Sequence, residues 1–541
     1  MSGLTNGISN SVFRSRLYKL ALMGRGPTKL FALPPGCEER GVPAGDAERG
    51  AAILQGRFEV AGKSLYLGES PWSEESLDES QIAELHRFGW LGDLAAAGSD
   101  EARRTAEILF ERWDEKFGTF TPVSWRSDVL AMRIVNCLTH FAALFDAADP
   151  TFHIRFLDCI ARQIRHLRRV ALTETAPPDR MAVLKGLVYG ECCVVSEPER
   201  VARACAMLEV EIESQILPDG SHVSRSPGRQ FAVLEMLVDM RDVLTAASQE
   251  VPIALRNAID RMAPMTRFFR FGDGSLACFH DGGRPAPAHI DRALERSDAH
   301  GRAPKRAHYA GFERIEASDL VLILDGGGPP EAPHDRDGHA GTMSFELCIG
   351  RHPLFVNCGA GMGTSPDWRQ ALRTTAAHSA LVVGDTNCCE LLADGIGRRP
   401  GEIDCDRGER DGSIWISSSH TGYEPRFGLT HRRRFYVNEA DADLRGEDIL
   451  VGAQSHPFAI RFHLHPEIAA EIDDAATGIT FALPDGQRWR MRTERPMALE
   501  DSVFWDDIRG ILPTRQLVIR ATTSDEVTAI KWRLRRVASE E

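Results

Sequence analysis

The hydrophobic periodicity of this chain changes near the middle of its 541 residues, and this change constrains the fold more than any other feature. Between about residues 101 and 271, apolar residues recur at helical spacing, in segments separated by short breaks rich in proline, aspartate and glycine. After Gly272, glycine and proline become frequent, and short runs alternate between apolar and polar residues, as is typical of strands. We therefore expect a multidomain chain in which a helical part is followed by a β part.

The helical part is predicted to contain successive helices joined by short turns. They are residues 129–138, 152–167, 181–193, 197–217, 229–248 and 253–271. Helices joined by short turns pack beside their neighbours, so this pattern predicts an array of helical hairpins. No internal sequence repeat is evident, which disfavours a regular solenoid.

The second part is predicted to consist of many short strands. They are residues 320–324, 343–349, 380–383, 413–417, 433–438, 458–464 and 516–521. Short strands separated by turn residues favour a sandwich or a barrel over a parallel α/β sheet. The predicted division is an N-terminal extension at 1–49, a helical domain at 50–280, a linker at 281–308 and a β domain at 309–541.

The net charge of −14 disfavours a general attraction to nucleic acid or to an anionic membrane surface. An acidic ligand would need a local cationic cleft, and the run Arg432, Arg433 and Arg434 either lines such a cleft or is solvated surface.

The sequence pattern predicts neither a signal peptide nor a membrane-spanning helix. There is no apolar run of about 18 residues and no signal-peptide pattern, and the twelve cysteines form no CxxC pair. These features favour reduced thiols and a cytoplasmic location. A periplasmic location is the alternative.

A polar, glycine-containing turn at residues 217–230 separates two strongly apolar predicted helices. It brings His222, Arg225 and Arg229 together. The segment is either an ordinary Pro-Asp-Gly turn followed by a Ser-Pro helix start, or the arginine-lined rim of a cleft.

Candidate proton-transfer residues lie in the β part. His339 precedes a predicted strand, and His378 stands at the boundary between a loop and an apolar strand. An imidazole at such a boundary could act as a base near neutral pH, neutralise a carboxylate, or be structural. Tyr423 is either a proton donor or a loop anchor.

His463 and His465 are two residues apart and are therefore expected on one face of a strand. This spacing could bind a divalent metal such as zinc, but a zinc site needs three or four ligands and the sequence identifies no third. No cofactor is otherwise indicated, since motifs for nucleotide, dinucleotide, zincin and serine-hydrolase sites are absent.

Taken in order, these motifs resemble the heparinase II/III family of polysaccharide lyases over about residues 50–535. The resemblance rests on Asp-Gly-Ser-His at 219–222 with Ser-Pro at 226–227, on His-Ala-Gly at 339–341, on Thr-Ala-Ala-His-Ser-Ala-Leu at 375–381, and on Phe-His-Leu-His-Pro at 462–466. It implies an incomplete α/α toroid of helical hairpins followed by an antiparallel β-sandwich. It also implies cleavage of uronate-containing glycans by β-elimination.

The resemblance assigns roles by position, and the chain departs from the family at several of them. His378 matches the catalytic histidine of the sandwich domain. Arg229 and Gln230 stand where the family has a tyrosine followed by a histidine, and Gly341 stands where it has an aspartate. Where an asparagine or histidine is expected before another helix, this chain has Asp179 and Arg180.

An arginine stays protonated and cannot act as a base, but it can bind a carboxylate or sulfate through two hydrogen bonds. The first hypothesis is therefore a lyase that acts on an acidic polysaccharide or oligosaccharide. The sequence does not predict the oligomeric state of the protein. Its predicted catalytic residues are His378, Tyr423 and His222, and its predicted substrate-binding residues are Arg225, Arg229, His339 and Arg373.

Two alternatives remain open at this point. The first is a non-catalytic protein that retains the lyase fold and serves in glycan binding or envelope-polysaccharide assembly. The second is a metal-dependent sugar enzyme that uses His463 or His465.

Overall fold

A computed structural model describes residues 18, 22, 26–27, 29–37, 44–60, 62–68, 71–73, 77–172, 180–280, 282–361, 365–438, 440, 443–507, 509–524 and 526–537. Most of the predicted N-terminal extension lies outside these residues, as do Asp179 and Asp281. The chain forms two compact units. The first comprises Met1–Ser214, Val233–Ile259 and Glu295–Ser297, and the second comprises Gln215–Ala232, Asp260–Leu294 and Asp298–Glu541.

The first half of the chain is helical, as predicted. Its described α-helices are α1 (Ala47–Leu54), α2 (Glu79–His86), α3 (Trp90–Ala97), α4 (Asp100–Phe117), α5 (Ser127–Thr139), α6 (Phe141–Leu144), α7 (Pro150–Val170), α8 (Arg180–Gly190), α9 (Pro198–Gln215), α10 (Pro227–Ala246), α11 (Ile253–Phe268) and α12 (Pro287–Ser297). A π-helical turn, Glu191–Val195, extends α8, and a short hairpin of β1 (Arg57–Val60) and β2 (Lys63–Tyr66) follows α1. Among the described residues, no helix is both long and apolar enough to cross a membrane.

Local sequence explains where these helices begin and how closely they pack. Asp149 caps α7 by accepting hydrogen bonds from the backbone N–H groups of Thr151 and Phe152, with Pro150 at the first helical position. A Cβ atom at Gly186 of α8 would lie 2.7 Å from Cα of Ala131 in α5. Glycine at this position therefore allows the two helix backbones to approach closely.

Helix α12 lies within the stretch 281–308 that the composition marks as a linker. It buries Ile290 and Ala293, and its Arg296 forms ion pairs with Asp239 and Asp242 of α10. The proline, arginine and alanine content of this stretch is therefore compatible with an amphipathic helix.

The second half of the chain is an antiparallel β-sandwich. One sheet has the order β11-β12-β13-β14-β21-β18-β17-β16, and the other has the order β19-β20-β15-β7-β6-β5-β4-β3, with β8 paired to β15. The strands are β3 (Arg306–Ala307), β4 (Phe312–Ala317), β5 (Leu320–Asp325), β6 (Phe345–Ile349), β7 (His352–Val356), β8 (Leu381–Val383), β9 (Leu391–Leu392), β10 (Gly395–Ile396), β11 (Ile403–Arg410), β12 (Ser413–Tyr423), β13 (Leu429–Asn438), β14 (Asp443–Val451), β15 (Pro457–Leu464), β16 (Ala469–Ile472), β17 (Gly478–Ala482), β18 (Arg488–Thr493), β19 (Met497–Asp506), β20 (Gly510–Thr522) and β21 (Val527–Arg536). Strands β9 and β10 pair with each other, and two short helices, α13 (Pro366–Leu372) and α14 (Glu424–Phe427), lie between strands in sequence.

The two large sheets share one apolar core. Phe345 of β6 lies 5.0 Å from Phe435 of β13 and 6.1 Å from Trp532 of β21, as measured between ring centroids. Side chains alternate along β13, so that Phe435 and Val437 are buried while Arg432 and Arg434 are exposed. The predicted fold class, helical toroid followed by antiparallel sandwich, is confirmed.

Candidate functional site

A buried ion pair lies at the end of strand β5, in the second compact unit. Arg225, in the turn between α9 and α10, donates a hydrogen bond through Nη2 to Oδ1 of Asp325, the last residue of β5. Its Nε atom donates to the carbonyl of Ala310 at 2.7 Å, and its guanidinium lies 4.6 Å from the ring centre of Phe312. Burial opposes ionisation of Asp325, but Arg225 and His280 hold the pKa of its carboxyl group below the ordinary value.

His280 joins this ion pair to the next loop. The backbone N–H of His339 donates to Nδ1 of His280 at 3.1 Å, so the proton of a neutral His280 ring is on Nε2. That nitrogen lies 3.5 Å from Oδ2 of Asp325. His280 therefore links the carboxylate to the loop that carries His339.

His339 and His378 form a direct pair of imidazoles. Nδ1 of His378 lies 2.7 Å from the carbonyl of Thr374, which can only accept, so this nitrogen carries the proton of the ring. Nε2 of His378 is consequently the acceptor, and Nδ1–H of His339 donates to it over 3.1 Å. The single lone pair that a neutral His378 could offer a substrate proton is occupied by its neighbour.

Both imidazoles are held neutral. Burial, together with the nearby His280 ring, lowers the pKa of His378 to about 4 even though the Thr374 carbonyl opposes the shift. Burial and the neighbouring imidazole of His378 hold the pKa of His339 well below its usual value. We call His280, His339 and His378, with Arg225 and Asp325, the histidine cluster.

Gly341 leaves no room for an acidic side chain beside this pair. A Cβ atom at position 341 would lie 2.9 Å from Cδ2 and 3.1 Å from Nε2 of His378, and 3.3 Å from Oγ of Ser344. The position at which the family resemblance implies an aspartate is therefore adjacent to the histidine predicted to be catalytic.

The turn at residues 217–230 folds as a structural unit. Ser224 donates its backbone N–H to Nδ1 of His222 at 3.1 Å, so the Nε2–H of His222 donates to Oε1 of Gln215 at 2.9 Å. Burial is the main cause of a pKa of His222 well below the usual value. His222 is thus a buried, neutral ring with both nitrogens occupied, and Arg225 is the turn residue that reaches the histidine cluster.

Arg229 and Gln230 lie in the first turn of α10. The backbone N–H of Arg229 donates to Oγ of Ser226 at 3.2 Å, which caps the helix. Nε2 of Gln230 donates to the carbonyls of Gly220 at 3.0 Å and Met262 at 3.2 Å. The glutamine at the family's histidine position therefore connects two backbone segments.

Arg373 and Tyr423 are buried, and the polar groups of both side chains donate to backbone carbonyls. The guanidinium of Arg373 donates to the carbonyls of Gly338, Leu392 and Gly395 at 2.8 to 2.9 Å and thereby fixes the loop that precedes His339. The hydroxyl of Tyr423 donates to the carbonyl of Leu381 at 2.7 Å inside the sandwich core. Burial raises the pKa of Tyr423 well above its usual value.

The two histidines considered as metal ligands differ in environment. The Nε2–H of His463 donates to the carbonyl of Ala376 at 2.9 Å, and Ser502 donates to its Nδ1 at 2.7 Å, so both nitrogens are engaged. His465 follows the end of β15, with Nδ1 3.9 Å from the carboxylate of Glu467. No group of three or more histidine, cysteine or acidic side chains suited to a metal ion is found among the residues that the structure describes.

A second buried polar network lies inside the sandwich, and it contains the central arginine of the run 432–434. Nε of Arg433 donates to Oδ1 of Asp448 at 2.7 Å, and Nε2 of His431 lies 3.0 Å from the same oxygen. His420 extends this polar network, because its Nε2 lies 3.3 Å from Nδ1 of His431. Arg433 is thus a core residue and does not line a cleft for ligands.

Sequence reasoning missed two members of the histidine cluster, His280 and Asp325. A signal for Asp325 exists, because it ends a fully apolar strand and is followed by Gly326, Gly327 and Gly328. Such glycines permit close approach of other segments, and the hypothetical Cβ of Gly327 lies 2.5 Å from Nη2 of Arg225. His280 follows the short apolar run Leu276, Ala277, Cys278 and Phe279 and directly precedes the predicted linker, which is not a pattern specific to a functional histidine.

Comparison with known proteins places this architecture in a family. The sequence model of the heparinase II/III-like C-terminal domain matches residues 299–533. The crystal structure of heparinase III superposes with a TM-score of 0.73 at 14% identity, covering 91% of this chain and 85% of that one. A heparan sulfate lyase HepC mutant from Pedobacter heparinus superposes with a TM-score of 0.66 at 15% identity, covering 91% and 83%.

A curated relative extends over nearly the whole chain. It is FtsZ-localized protein C of Caulobacter vibrioides, 30% identical over 520 residues, which cover 90% of this chain and 88% of the relative. The match includes both the helical half and the sandwich. The chain therefore has the C-terminal domain of the heparinase II/III-like family, to which it belongs, and it is a relative of FtsZ-localized protein C over nearly its whole length.

Proposed function

We propose that this chain is a heparinase II/III-like protein that acts at the FtsZ division ring and does not cleave glycans. The observation that carries the proposal is the closed imidazole pair, in which Nδ1–H of His339 occupies the lone pair of His378. A base without a lone pair directed at its substrate cannot remove a proton.

The contacts of the other predicted proton-transfer positions also support the proposal. Such a reaction needs a group that neutralises the uronate carboxylate, a base for the C5 proton and an acid for the leaving oxygen. Arg229 replaces the tyrosine that would share the proton transfers, and Gln230 is engaged with two backbone carbonyls. Tyr423, the alternative acid, is buried in the sandwich core with its hydroxyl donating to Leu381.

Support for localisation with FtsZ comes from the name of the relative that matches both halves of the chain. FtsZ-localized protein C is 30% identical over 88% of its length, so the likeness is not confined to one domain. The fold alone does not supply this function, because one fold serves many activities. The cytoplasmic location expected from the sequence is part of the same proposal.

The lyase hypothesis is the second candidate, and the observation that favours it is the position of His378. By the sequence resemblance this residue matches the family's catalytic histidine, and it lies within a cluster that also holds the arginine–aspartate pair. If the imidazole pair opened when a glycan bound, Nε2 of His378 would become available as a base.

The first experiment separates the two candidates by chemistry. The purified chain is incubated with heparan sulfate, chondroitin sulfate and polyuronates, and the ultraviolet absorbance of the unsaturated uronate product is followed. We expect no product from any glycan. A product that is lost in the His378→Gln variant would establish the lyase and remove the proposal.

The second experiment tests the division-ring role directly. A fluorescent fusion of the chain is imaged in its own host together with labelled FtsZ, and the purified chain is sedimented with FtsZ polymers. We expect localisation to the ring, dispersal when FtsZ is depleted, and the same behaviour for His378→Gln. A uniform distribution that ignores FtsZ, without sedimentation, would contradict the proposal.

A further inference from the structure

The outer face of the eight-stranded sheet carries a row of aromatic and arginine side chains across five adjacent strands. The strand register places Trp415 opposite Tyr436, Tyr436 opposite Arg445, Arg445 opposite Arg533 and Arg533 opposite Arg492. Trp415 is 42% exposed, and the side chains of Arg445 and Arg533 are 53% and 42% exposed. We call these five residues the outer row. They point away from the core that the two sheets share.

Neighbouring residues fix the aromatic end of the outer row. A Cβ atom at Gly408 would lie 2.2 Å from the indole ring of Trp415, so glycine there lets the ring rest on strand β11. The hydroxyl of Tyr436 lies 2.8 Å from Oγ of Ser413, and the guanidinium of Arg445 lies 5.3 Å from the centre of the tyrosine ring. The two rings are therefore held in place before any ligand arrives.

Asp443 orients the arginine end of the outer row. Its carboxylate accepts a hydrogen bond from Nη2 of Arg445 at 2.8 Å, and from Nε and Nη2 of Arg533 at 2.6 and 2.7 Å. The two guanidiniums hold the pKa of Asp443 below its usual value although partial burial opposes this shift. Because the single carboxylate of Asp443 lies between the guanidiniums of Arg445 and Arg533, these three side chains together carry a net positive charge, and their hydrogen bonds hold it in place.

The outer row lies in a groove of about 720 Å³ whose charge is opposite to that of the whole chain. Arginine and lysine side chains in the lining outnumber the glutamates Glu447 and Glu494 by five to two. The chain as a whole has a net charge of −14, so this is a local excess of positive charge on an acidic protein. A local excess of this kind attracts anions and repels cations.

We propose that the outer row is a binding surface for an acidic glycan, with sugar rings packed on Trp415 and Tyr436 and uronate or sulfate groups on Arg445, Arg533 and Arg492. This inference does not rest on the function proposed above, because the outer row is separate from the histidine cluster and performs no chemistry. It holds whether or not the chain cleaves glycans.

The geometry favours a linear polyanion built of sugars. Adjacent strands are about 4.8 Å apart, so the outer row repeats at about the length of one sugar ring across the strands. The carbon–hydrogen faces of sugars pack on exposed indole and phenol rings. The Nε and Nη2 atoms of Arg445 and Arg533 donate to Asp443, so the remaining N–H groups of these guanidiniums are the donors for a carboxylate or sulfate. A single ligand of this kind would satisfy both ends of the row.

The test is direct binding to the full-length chain, measured by titration calorimetry with a size-defined heparin oligosaccharide and with a polyglucuronate oligosaccharide. The test variants are Trp415→Ala and the double variant Arg445→Ala with Arg533→Ala. The matched controls are Trp368→Ala, which removes another exposed tryptophan, and Arg520→Ala, which removes an exposed arginine of the other sheet. Thermal unfolding of every variant checks that the sandwich remains folded.

We expect binding that weakens with salt, a loss of about tenfold or more in affinity in both test variants, and unchanged affinity in both controls. The proposal is overturned if neither oligosaccharide binds the wild-type chain, or if the controls weaken binding as much as the test variants. It is also overturned if a single-stranded oligonucleotide or a polyglutamate peptide binds more tightly than both glycans and depends on Trp415. In that case the surface belongs to a nucleic acid or a protein partner.

Discussion

Nδ1–H of His339 donates a hydrogen bond to Nε2 of His378 over 3.1 Å, and this contact decides the protonation state of both rings. Since the Thr374 carbonyl fixes the proton of His378 on Nδ1, the pair has only one neutral arrangement. Protonating His378 would place a second hydrogen between the two nitrogens. The pair is therefore a site at which acid should destabilise the fold.

The free energy of unfolding should fall as the pH falls from about 6.5 to about 4. The pKa of His378 is about 4 in the folded chain and about 6.5 in the unfolded chain, so between these values the unfolded state binds the additional proton. His378 alone should then reduce the free energy of unfolding by about 3 kcal/mol at pH 4. Denaturant unfolding at a series of pH values measures this loss.

The comparison variant is His378→Gln, which cannot be protonated and should show a flatter pH dependence. His300→Gln, which changes an imidazole that is almost fully exposed, should follow the wild-type curve. An unaltered slope in His378→Gln would show that His378 is not the titrating group.

Substitutions at Gly341 should act through His378. Gly341→Ala brings a methyl group within 2.9 Å of the imidazole and should lower the free energy of unfolding by about 1 to 3 kcal/mol. Gly341→Asp should cost more, and its carboxylate should raise the pKa of His378, which nuclear magnetic resonance titration measures. Gly401→Ala is the control, since its Cβ would meet its nearest neighbour at 3.4 Å. If His378 titrates identically in Gly341→Asp and Gly341→Ala, the carboxylate does not reach the ring.

Removing Arg225 should destabilise the second unit strongly. Arg225→Ala leaves Asp325 buried without its cation, which typically costs about 3 to 5 kcal/mol, whereas Asp325→Asn leaves no buried anion and should cost less. The exposed pair of Arg410 and Asp411 provides the control, and Arg410→Ala should change the free energy of unfolding by at most about 0.5 kcal/mol. Equal losses in Arg225→Ala and Arg410→Ala would refute a buried role for the pair.

Tyr423→Phe should affect stability and leave glycan binding unchanged. The variant removes a buried hydroxyl and leaves the carbonyl of Leu381 without this donor, which should cost about 1 to 2 kcal/mol. Tyr309→Phe, at a tyrosine that is 59% exposed, should be nearly neutral. A change in glycan affinity or chemistry in Tyr423→Phe, without a stability loss, would restore Tyr423 as a functional residue.

The sequence predicted the fold correctly in segments where apolar residues follow a single spacing, either that of a helix or that of a strand. Alternation within residues 433–438 predicts β13, and the same alternation explains why Arg433 is inside the sandwich while Arg432 and Arg434 are outside. Helix α12 was missed because its proline and charged residues suggest a linker, although Ile290, Ala293 and Leu294 have helical spacing. In this segment the amino-acid composition suggested a linker, whereas the spacing of the apolar residues indicated the helix that the structure contains.

The candidate site was predictable only in part. His339 and His378 stand out because each lies in a short loop a few residues before an apolar strand, β6 or β8. His280 lies 59 residues from His339, and Asp325 lies 100 residues from Arg225, so their contacts depend on tertiary packing that no local pattern encodes. The same packing buries Tyr423 and His222. The sequence predicted a catalytic role for these two residues from their residue types alone.

The three glycines after Asp325 have a consequence for how this chain can vary. A Cβ atom at Gly326 would lie 2.7 Å from Sγ of Cys405, one at Gly327 would meet Arg225 at 2.5 Å, and one at Gly328 would lie 3.0 Å from Ile403. Strand β11, which carries Ile403 and Cys405, and the turn that carries Arg225 thus both pack closely against a stretch that looks like a flexible loop in the sequence. In a saturation-mutagenesis library, these three positions should tolerate substitution as poorly as aromatic core positions do. An insertion between them should prevent folding, whereas an insertion at the exposed turn of Gly412 should be tolerated.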